Sequence, residues 1–333
     1  PVTLFDFHNC EHLSAGIETV DEVRHGTSWF YFGAGPRSEE KSKVWAAEIA
    51  DLVKAHGGGN ARLAMDHCDP FGVAALGTHG ISIKHRQEVL ERERCIKNDD
   101  EIALMNVAVG VCEVGMARMR EALEPGMTEN ELWSILHQTN IAMGGEWIET
   151  RLLASGGRTN PWFHESSDRI IRPGELVSFD TDLIGPFGYC ADISRTYFCG
   201  PGRPSDEQRR LYRMAWDQIH TNMEILKAGM TFRELADKSF RLPEKCLPQR
   251  YSVVYHGVGM ADEYPHCAYR EDIESGGYDG VIEPGMTLCV ESYIGEVGGT
   301  EGVKLEQQVL VTDKGVELLS TFPFEDELLV KEI

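Results

Sequence analysis

The chain has 333 residues, 42% hydrophobic and 26% charged, and its 54 acids against 32 bases give a formal charge of −22. This composition excludes a disordered chain, a coiled coil and a disulfide-stapled mini-domain. So acidic a chain repels phosphate backbones and anionic lipid, which argues against nucleic-acid and membrane partners and leaves the soluble-enzyme class.

The N-terminus, Pro1-Val2-Thr3-Leu4-Phe5, lacks an initiator Met and a signal-peptide pattern, and is read as the cut end of a longer chain. Residues 1–97 mix short apolar stretches with turns such as Gly57-Gly58-Gly59. Ser42 to His56 is predicted as an amphipathic helix with Trp45, Ile49, Leu52 and Val53 towards one side. This is the pattern of a small α/β domain, and no chemistry can be read from it.

From Asn98 the texture changes. Asn98-Asp99-Asp100 is predicted to cap a helix whose apolar face carries Ile102, Met105, Val109, Cys112 and Met116. Thr128 with Glu131, Ser205 with Gln208 and Thr231 with Glu234 have capping-box spacing. Extended stretches from Leu176 to Leu183 and from Tyr189 to Cys199 flank a turn at Gly185-Pro186-Phe187-Gly188. A second pair, Met286 to Glu296 and Val303 to Thr312, flanks Gly298-Gly299. Two hairpins among helices predict an α+β domain over residues 98–333.

Carboxylates collect on those hairpins. Asp180 and Asp182 are two apart on a predicted strand and so share a face. A turn about Phe187 places Asp182 opposite Asp192, and a turn between Gly298 and Gly299 places Glu291 opposite Glu306. Buried anions in such number need a cation. Four or more carboxylates with one imidazole, for which His256 in His256-Gly257-Val258-Gly259 is the candidate, suit Fe(II), Mn(II), Co(II) or Zn(II). Nine cysteines without a C-x-x-C pair are read as free thiols in a reducing cytosol, and no apolar run reaches the ~18 residues of a bilayer span.

These residues, in this order, resemble the creatinase, prolidase, aminopeptidase P and methionine aminopeptidase superfamily, with its pita-bread fold. The matching stretches are Phe179-Asp180-Thr181-Asp182, Gly188-Tyr189-Cys190-Ala191-Asp192-Ile193-Ser194-Arg195-Thr196, His256-Gly257-Val258-Gly259, Glu291 and Glu306. The resemblance implies that residues 1–97 are the C-terminal portion of an N-terminal domain that helps form a homodimer. It departs from the peptidases at Glu263, where they carry a second histidine seven residues after the first, and in having both Asp180 and Asp182 before Asp192.

At those departures the chain resembles the DddP-type dimethylsulfoniopropionate lyases, through Phe179 to Tyr189, His256 to Pro265 and Gly302 to Val311. That resemblance implies a cytoplasmic, bacterial, metal-dependent enzyme, described with iron, that splits a small sulfonium zwitterion into acrylate and dimethyl sulfide. It implies Asp180, Asp182, Asp192, His256, Glu291 and Glu306 as metal ligands, Asp262 as the catalytic base and Tyr251 as a catalytic residue near the substrate. Aromatic faces attract a fixed cation, so Trp162-Phe163 and the neighbouring His164 are the candidate substrate-binding stretch. The alternative is an Xaa-Pro peptidase or creatinase-like metallohydrolase, which requires Glu263 to do a histidine's work. A catalytically silent pita-bread module would have lost ligands that this chain keeps.

Overall fold

The computed structural model describes residues 1–7 and 9–329. They fall into two compact units, one from Pro1 to Leu90 and one from Glu91 onward. In the first, the helix Ser38–His56 starts four residues earlier than predicted. Its Ala46 and Ala50 pack with Ala75, Leu76 and Ile81. Two short parallel strand pairs, Thr3–Asp6 with Glu22–His25 and Arg62–Met65 with Ser82–His85, complete its α/β character.

The second unit begins at Glu91, so Glu91, Arg94 and Lys97 belong to it. The helix Asp99–Ala122 is held at its start by an Asn98–Glu101 capping box. By length and composition it could cross a membrane. Its Met105, Ala108, Cys112, Met116 and Met119 are instead completely buried in this unit. Capping boxes also open Glu129–Ala142, Asp206–Ile225 and Phe232–Lys238, at the three predicted positions. Each satisfies otherwise orphaned N–H groups of the first turn.

Two sheets carry the chemistry. A five-stranded antiparallel sheet runs in the order Asp262–Cys267, Tyr255–Val258, Thr287–Gly295, Gly302–Thr312, Gly315–Leu318. A three-stranded sheet joins Leu153–Ser155, Leu176–Phe179 and Arg195–Phe198. Thr196 ties the two together: its Oγ1 accepts from Lys304 N at 3.1 Å and donates to Lys304 O at 2.9 Å.

The second hairpin has the predicted register, with Glu291 directly opposite Glu306. The first is more broken than expected. Its strand stops at Phe179, and a two-residue ladder pairs Leu183 with Ala191 and Ile184 with Cys190. Between them Asp182 has a φ of 36°, in the left-handed region that few non-glycine residues adopt. The pleat therefore does not put Asp180 and Asp182 on one strand face; the backbone break sends them to neighbouring clusters.

Candidate metal centre

Strand alternation assembles one wall of the site. On the five-stranded sheet, His256 pairs with Cys289, Cys289 with Gln308, Glu291 with Glu306 and Tyr293 with Lys304. Period two brings the side chains of Cys289, Glu291 and Tyr293 to the same face as those of Lys304, Glu306 and Gln308. The first hairpin supplies the other wall: Asp192 N donates to Gln308 Oε1 at 3.1 Å, and Asp182 N to Asp192 Oδ1 at 3.3 Å.

Asp180, Asp182, Asp192, His256, Glu291 and Glu306 are all buried. Three sets of donor atoms lie within 4.8 Å of one another: Asp192, His256, Cys289 and Glu306; Asp180, Glu291 and Glu306; Asp182, Asp192 and Asp262. His256 Nε2 is the focus, 3.3 Å from Glu291 Oε1 and 3.6 Å from both Asp192 Oδ2 and Glu306 Oε1. Its Nδ1 lies 3.1 Å from Gly257 O, and donation there leaves Nε2 for the carboxylates.

Burial resists ionisation throughout. It pushes Asp192 and Asp182 well above the usual carboxylate range, with the neighbouring acids adding to it. Burial and Glu291 push Glu306 up to about 8. Burial disfavours the His256 imidazolium, but Asp262, Glu291 and Glu306 outweigh it and raise the ring well above an ordinary imidazole. Burial and the nearby acids raise the Cys289 thiol well above its ordinary value in the metal-free site.

Lys304 was not anticipated. Its fully buried Nζ donates to Ser194 Oγ at 2.6 Å and to Glu291 Oε2 at 2.7 Å, and lies 3.0 Å from Asp180 Oδ2. Desolvation works against its charge, but Asp180, Glu291 and Glu306 raise it well above an ordinary lysine. Asp180 is the counterpart: burial opposes its charge, yet Lys304 and Ser194 hold it below the usual range. The signal was present in the sequence, since Lys304 precedes Glu306 by two on one strand. Tyr251 lies over Lys304, Nζ 4.4 Å from the ring centroid, and its hydroxyl donates to Asp180 Oδ2 at 3.4 Å.

The remaining expected residues divide. Asp262 has a half-exposed side chain with Oδ1 3.5 Å from His256 Nδ1. Trp162 is buried and packs on Tyr293 at 6.0 Å between ring centroids, which makes it a core residue. The His164 ring turns to its own loop, Nδ1 lying 3.0 Å from Pro161 O. Phe163, between the two, is the aromatic that reaches the site. It is 55% exposed, has a φ of 67° and stacks on Tyr251 at 5.2 Å and 17°. Glu263 is sealed in by Lys97 Nζ and by Arg94 Nε at 3.0 Å.

Sheet order, facing hairpins and a cluster of acids about one imidazole make a candidate metal centre on a pita-bread fold. The chain belongs to metallopeptidase family M24, which it matches over residues 103–313. It is 45% identical to the dimethylsulfoniopropionate lyase DddP of Roseovarius nubinhibens over 98% of this chain and 75% of that protein. To the DddP of Roseobacter denitrificans it is 42% identical, over 98% and 74%. Among solved structures, an Xaa-Pro dipeptidase from Bacillus anthracis superposes with a TM-score of 0.79 at 25% identity, covering 97% of this chain and 84% of that one. The prolidase from Pyrococcus furiosus superposes at 0.76 and 22% identity, over 96% and 87%, and shows the fold alone.

Proposed function

We propose that the chain is a metal-dependent carbon–sulfur lyase that cleaves dimethylsulfoniopropionate to acrylate and dimethyl sulfide. The observation that carries this reading is the contrast between two adjacent residues. Asp262 presents a half-exposed carboxylate beside His256, whereas Glu263 is locked against Lys97 and Arg94. A base is available, and no imidazole stands where a peptidase would stabilise an oxyanion.

The donor set fits a divalent cation. Glu306 Oε1 is buried without a hydrogen-bond partner, and carboxylate oxygens with one imidazole nitrogen match hard to borderline ions. Asp180, Asp182, Asp192, His256, Glu291 and Glu306 would hold the metal, and iron is the ion that the likeness to the lyases favours. When bound, such an ion supplies Lewis acidity towards the substrate carboxylate and makes the adjacent C–H more acidic.

The chain's own groups do the rest. Asp262 takes the proton from the carbon next to the carboxylate. The C–H electron pair becomes the new C=C bond, and the C–S pair leaves with sulfur as neutral dimethyl sulfide, so no general acid is required. Tyr251, kept a phenol by burial and the surrounding acids, holds the Asp180 side of the site with its hydroxyl. Phe163 offers an exposed aromatic face to the sulfonium. The same reading makes the enzyme a cytoplasmic homodimer acting on a small zwitterion.

The test is headspace dimethyl sulfide from metal-loaded protein. Asp262→Ala should abolish release while metal content stays at the wild-type level. Undiminished release by Asp262→Ala would remove Asp262 from the chemistry.

A further inference from the structure

The strand that carries Asp262 does not pair regularly with the His256 strand. Tyr255 faces Cys267 and His256 faces His266, but Gly257 faces Glu263 and Val258 faces Asp262, a slip of two residues. Such a bulge re-aims the side chains beyond it. Adjacent strand residues point to opposite faces, so the bulge that turns Asp262 towards His256 turns Glu263 into the protein.

There Glu263 meets a built receptacle. Lys97 Nζ binds Oε1 with both side chains almost fully buried, and Arg94 Nε sits 3.0 Å from Oε2. Glu91 braces the same point twice, accepting from Tyr264 N at 3.0 Å and pairing with Arg94 at 2.9 Å. The glycines of His256-Gly257-Val258-Gly259 make room for it. A Cβ on Gly257 would lie 2.3 Å from Tyr264 O, and one on Gly259 2.5 Å from the Glu263 carboxylate. Lys97 itself is fixed by its backbone, Lys97 N donating to Gly285 O at 2.9 Å.

A buried ion pair of this kind adds little net stability over an apolar pair, so its geometry is its clearest contribution. We propose that Lys97 and Arg94, acting through Glu263, are positioning residues that set where the Asp262 carboxylate stands beside His256. The proposal rests on reading Asp262 as the base, and its structural half is testable without turnover.

Lys97→Met should leave metal content unchanged and lower kcat by about a hundredfold, the scale of an ångström-sized misplacement, with KM within about threefold of wild type. The deuterium isotope effect on kcat, with substrate deuterated next to its carboxylate, should rise as proton abstraction becomes limiting. Lys97→Arg, which keeps the charge, should recover most of the rate. In crystals of Lys97→Met the 3.5 Å approach of Asp262 to His256 should be lost. If Lys97→Met does not fold, Glu263→Gln decides on the same readouts, with a smaller fall of about tenfold expected. A folded variant with Asp262 in its wild-type place, or with unchanged kcat and isotope effect, overturns the proposal. Wild-type protein that releases no dimethyl sulfide defeats the lyase reading instead, and the crystallographic comparison still decides the clamp.

Discussion

Lys304 places its ammonium 2.7 Å from Glu291 Oε2, inside the cluster of acids and out of reach of solvent. One lysine thus offsets part of a charge that six acidic and imidazole side chains bring to one buried volume. Removing one partner of a buried ionic set typically costs about 3–5 kcal/mol. Lys304→Met should therefore lower the Tm of metal-free protein sharply, and added divalent metal should raise it by more than in wild type. Differential scanning fluorimetry with chelator and with metal checks both. An unchanged metal-free Tm would show that Lys304 is not needed as a countercharge.

The acids themselves give the metal-free protein a pH dependence. Glu306 titrates at about 8, raised by burial and Glu291, against about 4.3 in an unfolded chain. For a folded pKa above the unfolded one, the contribution to stability is complete below the unfolded value and is lost as pH rises through the folded one. The Tm of chelated protein should fall from about pH 5 to about pH 9, and metal-loaded protein should fall less because a cation replaces the proton. Parallel melting curves at each pH measure the difference. A chelated protein that grows more stable over that range contradicts the assignment.

Thiol chemistry should be confined to the N-terminal unit. Among the described residues all nine cysteines are free, seven buried and two, Cys10 and Cys68, partly exposed. Burial pushes Cys112 up to about 12, and Cys190 and Cys289 are raised as well. A thiolate is the reactive species, so these react only after unfolding. Titration with a disulfide reagent near neutral pH should find two thiols in native protein and nine in denaturant. Rapid native labelling of Cys112 would contradict this packing.

Phe163 tests the sulfonium subsite. It is half-exposed and stacks on Tyr251, whose ring lies over Lys304. Phe163→Ala should raise KM for the sulfonium zwitterion by about three- to thirtyfold, the range of a cation–π contact, with a smaller effect on kcat. Phe163→Tyr should retain the wild-type KM. Equal KM values for wild type and Phe163→Ala would place the sulfonium elsewhere.

Much of this site was legible because it depends on local rules. Counting residues outward from Phe187 and from Gly298-Gly299 was enough to set Leu183 against Ala191, next to Asp182 and Asp192, and Glu291 against Glu306, since antiparallel pairing is symmetric about its turn. Three capping boxes followed from three-residue spacings, and the cap at Asn98 from its polar run Asn98-Asp99-Asp100, because each is a local signal. What escaped depends on distance or backbone strain. Lys97 meets Glu263 across 166 positions, which no periodicity records. Asp182 leaves its strand through a left-handed residue, and no residue type announced that break. Nor does the stretch Trp162-Phe163 say which ring is buried: Trp162 is, and Phe163, at a positive φ, is exposed.

The central claim is tested most directly by offering one metal-loaded preparation the sulfonium substrate and, separately, an Xaa-Pro dipeptide. Dimethyl sulfide and acrylate in equal amounts, with no amino acid released from the dipeptide, is the result expected of an open Asp262 beside a sealed Glu263. Dipeptide hydrolysis without gas would contradict it and return the chain to the hydrolases whose fold it shares.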